Sequence, residues 1–410
     1  MSLFSKNEII KPIDFSSKAH YRTKAFPSPF YSRQEPLNVL KEWGRWADYL
    51  SPHAYHCSSM EYFAARNACA VFDLTPMSKY RISGNDALAY LNRLMTRQVG
   101  KIKPGRVGYC VWCTDAGQVI DDGTIFHIRA GEYRLCSQER HLDWLLTNTM
   151  GFDVSVAEET HQVAALALQG PTSCATLREM GLAGIENMKP FGIAHFSFAG
   201  TQLMVSRTGF TGDLGYELWI DPQHSGLLWD RLFAAGSSRG IQPMGDEALA
   251  MLRVEAGFIQ AGHEFMPAHQ TVRTGHTRSP FELGLSWLVD FSKPNFNGRK
   301  ALLAEQQRGH RYNLVKLDID GNKPANNSYV FTSRKRLVGT VTSALWSPSA
   351  KASIALASLQ APYGKPGEEF LVEIYYQKEL KWSRVMATAH VISGVFYAPP
   401  RKRLTPPADY

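Results

Sequence analysis

Three glycines at equal spacing, Gly209, Gly212 and Gly215, interrupt a stretch that otherwise reads as sheet. Strand-like residues 201–208 run into them and residues 216–220 run out. Glycine lets a backbone turn tightly and approach a ligand with no side chain in the way. The segment therefore reads as a hairpin, two strands joined by a glycine loop. It also delivers a carboxylate, Glu217, on the second strand, on the same face as Trp219 by the period-two rule. A fixed carboxylate grips a flat heterocycle that offers adjacent N–H and amino donors. The alternative for Glu217 is an exposed or salt-bridged strand glutamate.

The rest of the chain mixes helix and strand. Residues 1–40 are polar, with Pro12, Pro27, Pro29 and Pro36, and read as an extended arm. Helical patterns fall at 37–50, 59–67, 85–94, 141–149, 171–180, 224–235 and 246–256. Asp246 is the expected N-cap of the last of these, and Gly257 its stop. Strands are expected at 79–82, 108–113, 119–128, 133–136 and 164–168. Asp115-Ala116-Gly117 marks a hairpin between two of them. From residue 312 onward strands dominate, at 314–319, 338–343, 354–358, 370–376 and 385–391, as in a compact β-barrel or sandwich. The expected class is α+β.

Bulk properties exclude some functions. A chain of 410 residues holds two or three domains, and 44% hydrophobic with 20% charged residues is globular composition. No apolar run is long enough to span a bilayer, and no secretory h-region is visible. Six cysteines, at 57, 69, 110, 113, 136 and 174, are sparse, so a reducing, cytoplasmic setting is expected. Cys110-Val111-Trp112-Cys113 lies in a strand and has no second ligand pair, and no HExxH or GxSxG string occurs. Neither a metal site nor a Ser/His/Asp hydrolase is expected. The formal net charge of +8 comes with no nucleic-acid-binding motif. No membrane or nucleic-acid partner is expected, and a monomer or weak dimer is.

Several strings resemble the aminomethyltransferase family, the T-protein of the glycine cleavage system and its folate-dependent relatives. The glycine segment Ser206–Glu217 carries the main signature. Val71-Phe72-Asp73, Gly117-Gln118-Val119-Ile120-Asp121-Asp122, Leu168-Gln169-Gly170-Pro171, Leu252-Arg253-Val254-Glu255-Ala256-Gly257 and Pro280-Phe281-Glu282-Leu283-Gly284-Leu285-Ser286-Trp287 follow in family order, as does the stretch from Ser343 to Ala357. The resemblance implies a three-lobed cloverleaf around a central folate channel, with a C-terminal β-barrel. Its lobes would be residues 1–73 with 155–278, an inserted lobe 74–154, and 279–410. It further implies tetrahydrofolate as cofactor, with either a lipoyl carrier protein or a small-molecule methyl donor as partner.

By the same resemblance Asp122 is the catalytic aspartate and Glu217 the pterin anchor. Strand alternation independently places Asp122 with Ile120, Phe126 and Ile128, and a carboxylate on an apolar face is costly without a partner. Asp121 is expected on the opposite face, beside Val119, Ile125 and His127. Tyr109 and Phe210 match positions lining the folate site, and either also suits plain core. Arg253 stands near the channel, as a ligand contact or as half of a structural ion pair. Trp219 completes the folate-binding set.

Three departures bear on the donor. The glycine-cleavage enzymes carry Asn-Ala where this chain reads Tyr133-Arg134-Leu135-Cys136-Ser137-Gln138, and an arginine at the position of Leu249. Their Phe-Asp-Val-Ser-His-Met is Phe72-Asp73-Leu74-Thr75-Pro76-Met77 here. The family's demethylases, acting on sulfonium, methoxy or N-methyl compounds, also lack the Asn-Ala pair. The expected function is thus a tetrahydrofolate-dependent one-carbon transferase, aminomethyltransferase-like, with demethylase as the alternative. A non-catalytic folate-binding protein is the reading from another class.

Overall fold

The computed structural model describes residues 25–404 and 406. The arm expected over 1–40 therefore lies, for residues 1–24, outside the described residues. Three sheets organise the rest. The first has six strands in the order Ile193–Phe198, Thr201–Ser206, Gly215–Ile220, Ala164–Gln169, Ala70–Asp73 and Gln242–Pro243. All its pairings are antiparallel except that of Gln242–Pro243 with Ala70–Asp73. One face packs Leu166, Leu168, Leu203, Val205 and Leu218 against the helix Ser225–Gly236 through Leu228, Trp229 and Leu232. The other face carries Phe72, Ala165, Met204 and Trp219.

The second sheet runs Arg106–Cys113, Val119–Arg129, Glu132–Ser137, Ser78–Ser83 and Ser155–Glu158. Its back is a core of Tyr80, Ile82, Trp112, Ile120, Ile125 and Leu135, covered by the helix Ala87–Leu94. Its front presents Val107, Phe126 and Cys136 to the open face of the first sheet, and the two sheets share one apolar cluster. Phe126 and Trp219 meet edge-on, 5.1 Å between centroids. The third unit is a closed barrel of Tyr312–Ile319, Ala352–Gln360, Leu337–Ser347, Tyr329–Phe331, Glu369–Lys378 and Lys381–Val391. The helix Asp246–Glu255 joins it to the rest, Val254 packing with Ile354 and Leu356 of the barrel wall.

The mixed α+β class and the C-terminal barrel are as expected. Two local expectations fail, and some elements were not expected. Residues 37–50 do not form a helix but the hairpin Glu42–Trp46 and Tyr49–Ala54. Trp43 packs on Tyr31 at 5.1 Å and Trp46 on Phe72 at 6.0 Å, so tertiary aromatic contacts override the helical periodicity. Ala47 takes φ +50° to close the two-residue turn. Asp246 is not the N-cap but the first helical residue after Gly245, and its carboxylate meets His53 Nδ1 at 2.9 Å. The strand Ile193–Phe198 and the helix Arg299–Arg308 had no expected counterpart. Gly257 does end its helix, at φ +69°.

Candidate active site

The glycine segment is a loop tied to one buried side chain. Gln169, 1% exposed, donates from Nε2 to the Thr208 carbonyl at 3.3 Å and the Tyr216 carbonyl at 3.4 Å. Its Oε1 accepts from Thr211 Oγ1 at 3.1 Å. A Cβ on Gly209 would lie 1.9 Å, and on Gly215 2.2 Å, from that Oε1. Gly212 sits at φ +77°, where a Cβ would come within 2.6 Å of Ala256. The glycines are thus explained by the loop closing on Gln169 and the helix end, which corrects the expectation that they clear space for a ligand.

That closure fixes Glu217. Its Oε2 accepts from Ser206 Oγ at 3.2 Å. Ser206 also pairs with Thr208 Oγ1 at 2.7 Å and accepts from Trp219 Nε1 at 3.3 Å. No cation pairs with Glu217 among the described residues, and burial lifts its carboxyl to about 7 against the Ser206 and Thr208 hydroxyls. Glu217 faces the second sheet, where its charge is felt at the Cys136 thiol, itself pushed up to about 12, chiefly by burial. Ser206 was not singled out from sequence. Its only signal there was its place opening the glycine segment.

Asp122 stands on that second sheet. It pairs across the strands with Val111, and Tyr109 Oη donates to its Oδ2 at 2.7 Å. Burial, then the neighbouring Asp121 charge, raises its carboxyl to about 8, while the Tyr109 hydrogen bond opposes the rise. Burial likewise drives the Tyr109 phenol well above its usual value. The expected face pattern needs one correction. Asp121 opposes Trp112 and Val119 opposes Cys113, so Ile120 is the extra residue of a β-bulge. Ile120 consequently drops into the back core with Trp112 and Ile125, away from Asp122.

The remaining candidates each have their own contacts. Tyr109 lies 6.1 Å from the exposed Trp287 ring. Phe210 stacks on Phe258 at 5.4 Å and 16°. Trp219, 2% exposed, is held by Ser206 and Phe126. Arg253 is buried and engaged: Nη1 reaches Glu264 Oε2 at 2.7 Å and Nη2 reaches Ser343 Oγ at 2.8 Å, which leaves Nε without a partner. Cys110 belongs to the back core and Cys113 to a different cluster, so the CxxC thiols face apart. The loop's Asp213, unremarked in the sequence, takes Arg401 at 2.6 and 2.7 Å and Tyr397 Oη at 2.8 Å.

Comparison with known proteins accords with this architecture. A family described as the GCVT N-terminal domain matches residues 34–293, and the glycine cleavage T-protein C-terminal barrel domain matches residues 313–397. An aminomethyltransferase of Desulfitobacterium hafniense is 29% identical over 375 residues, covering 90% of this chain and 97% of its own. One from Chlorobaculum parvum is 33% identical over 333 residues, covering 80% and 88%. A trimethylamine-oxide aldolase of Ruegeria pomeroyi is 35% identical over 320 residues, which is 75% of this chain but 39% of that protein. The solved glycine cleavage system aminomethyltransferase T from Bartonella henselae shares the fold, with TM-score 0.79 at 23% identity over 92% of this chain and 99% of that one. The chain belongs to the aminomethyltransferase (glycine cleavage T-protein) family and is an enzyme of that transferase class.

The family uses tetrahydrofolate, and the residues present fit it. Two carboxyl groups without cationic partners among the described residues, Asp122 and Glu217, sit on two sheets that share a core, each held by a hydroxyl. Among the described residues no helix is long and apolar enough to cross a membrane.

Proposed function

We propose that this enzyme transfers a one-carbon unit to tetrahydrofolate, in the aminomethyltransferase manner, with a lipoyl carrier protein presenting the donor. What carries the reading is the placement of two buried carboxyl groups, Asp122 and Glu217, on sheets that share one core, each bound by a hydroxyl and with no cationic partner among the described residues. Bound tetrahydrofolate supplies the nucleophilic nitrogen that accepts the unit. Glu217, steered by Ser206, would hold the adjacent donors of the pterin edge. Tyr109, Phe210 and Trp219 would wall the ring, and Arg253, held by Glu264 and Ser343, would stand at the channel. Asp122 holds or moves a proton near the reacting nitrogen, its acidity matched to neutral pH and its orientation set by Tyr109. Lobes of 1–73 with 155–278, 74–154 and 279–410 are the division this reading uses.

A second reading, transfer of a methyl group from a small sulfonium, methoxy or N-methyl compound, has its own support. Leu249, where glycine-cleavage enzymes carry arginine, packs into the apolar cluster of Ala248 and Leu252. The relative named trimethylamine-oxide aldolase is also more identical, over its matched span, than the two aminomethyltransferases above. The test is product analysis. The purified protein is incubated with tetrahydrofolate and, in turn, an aminomethyl-lipoyl protein, dimethylsulfoniopropionate, N-methylglycines and methoxybenzoates. Methylenetetrahydrofolate with the first donor supports aminomethyl transfer, and methyltetrahydrofolate with one of the others supports demethylation. Asp122→Asn is expected to lower kcat by about 10²- to 10⁴-fold. Glu217→Gln should weaken tetrahydrofolate binding by about 10- to 100-fold. A fully active Asp122→Asn enzyme would sink the catalytic assignment.

A further inference from the structure

Directly behind Asp122 lies a buried acid–imidazole pair. Asp121 and His141 have no side-chain exposure. Asp121 Oδ1 accepts the Asp122 N–H at 2.8 Å. Its Oδ2 accepts the Glu139 N–H at 3.3 Å and meets His141 Nε2 at 2.7 Å. The imidazole is wedged between Trp112, edge-on at 5.6 Å, and His269, at 5.0 Å. The His141 main-chain N–H donates to Tyr80 Oη at 2.7 Å. Among the described residues its Nδ1 has no hydrogen-bond partner, and the ring's one hydrogen bond is to Asp121.

Burying an imidazole and a carboxylate is costly unless they satisfy each other. The pair stands where the strand has slack. Ile120 is the bulge residue, and the register changes between Val119 and Asp121. Without His141, Asp121 Oδ2 would keep only the long contact to Glu139, in a core of Trp112, Ile125 and Leu135. Asp121 would then lose the anchor on its far oxygen, and with it the fixed position from which its other oxygen holds the Asp122 N–H.

We propose that His141 is a positioning residue for Asp122, acting through Asp121: it pins the bulged strand so that the Asp122 carboxylate stays on the Tyr109 hydroxyl. The proposal rests on the reading of Asp122 as the catalytic group. It predicts a split between turnover and binding, because Glu217 lies on the other sheet.

The test compares His141→Leu with His141→Gln in the full chain, using tetrahydrofolate and whichever donor of the panel turns over. His141→Leu is expected to lower kcat by about 10- to 100-fold through misplacement of Asp122. Tetrahydrofolate affinity, read by calorimetry, should stay at the wild-type level. The glutamine amide reaches the position of imidazole Nε2, so His141→Gln should recover most of the lost kcat. A residue that only filled space would be rescued by leucine better than by glutamine. If the leucine variant does not fold, His141→Asn, too short to reach Asp121, replaces it with the same expectation. Wild-type kcat in the leucine or asparagine variant, while Asp122→Asn is inactive, overturns the proposal and leaves Asp122 catalytic. An active Asp122→Asn enzyme overturns both.

Discussion

Asp122 and Glu217 are carboxyl groups held where carboxylates are disfavoured, and that has a thermodynamic signature. In the folded protein Asp122 keeps its proton up to about pH 8, whereas its ordinary value is 3.8. Between those limits folding takes up a proton, so stability falls as pH rises, and the loss is complete above the folded value. Glu217 adds a parallel loss between 4.5 and about 7. Asp122→Asn, which cannot ionise, is therefore expected to melt above the wild type at pH 8.5 and to converge with it near pH 4. Thermal unfolding monitored by circular dichroism across that range decides it; equal melting temperatures at pH 8.5 would show that Asp122 bears no such penalty. A substitution that stabilises the fold while lowering turnover is what the proposed role of Asp122 predicts. Sequence singled out both carboxylates, because their type and setting mark them. It missed Ser206 as the partner of Glu217 and His141 as the partner of Asp121, because hydrogen bonds across 11 and 20 positions have no local signature.

Among the elements, the glycine loop carries the most consequence. Its expected role was access for a ligand, whereas its closure on Gln169 and Ala256 explains each glycine. Gly212→Ala combines a left-handed φ of +77° with a Cβ 2.6 Å from Ala256, and nothing adjacent can yield cheaply since Ala256 closes a helix. The expected cost is about 1–3 kcal/mol, read as a lower urea midpoint with an unchanged m-value. An unchanged midpoint would refute the packing account. Strands and helices with strong periodicity were legible: the hairpin around Asp115-Ala116-Gly117 closes with Gly117 at φ +74°. The hairpin Glu42–Ala54 was not, because Tyr31 and Phe72, which hold its tryptophans, lie outside any local window.

For the whole molecule, one buried ionic network joins the parts. Arg66 bonds Glu255 at 2.5 and 3.0 Å, with side chains 3% and 0% exposed. Tyr62 donates to Glu255 at 2.7 Å, Ser347 of the barrel also donates to it, and Tyr397 lies over Arg66 at 3.7 Å. Asp213 of the glycine loop is held by the same C-terminal segment, through Tyr397 and Arg401. Glu255→Gln leaves the Arg66 charge buried without its counter-charge, and a loss of about 3–5 kcal/mol is expected from chemical unfolding. A loss below one kcal/mol would mean that solvent reaches Arg66 and the network is not dry. The amino-acid sequence by itself determined the α+β class and the barrel, and its motifs marked Asp122 and Glu217 as candidates. Those follow from periodicity, turn chemistry and motif order, which are local properties of a chain. Only the tertiary structure decided that the glycines serve Gln169, that Ile120 bulges away from Asp122, and that His141 stands behind it. Those facts depend on residues far apart in sequence competing for the same buried space, and no local pattern records which of them wins.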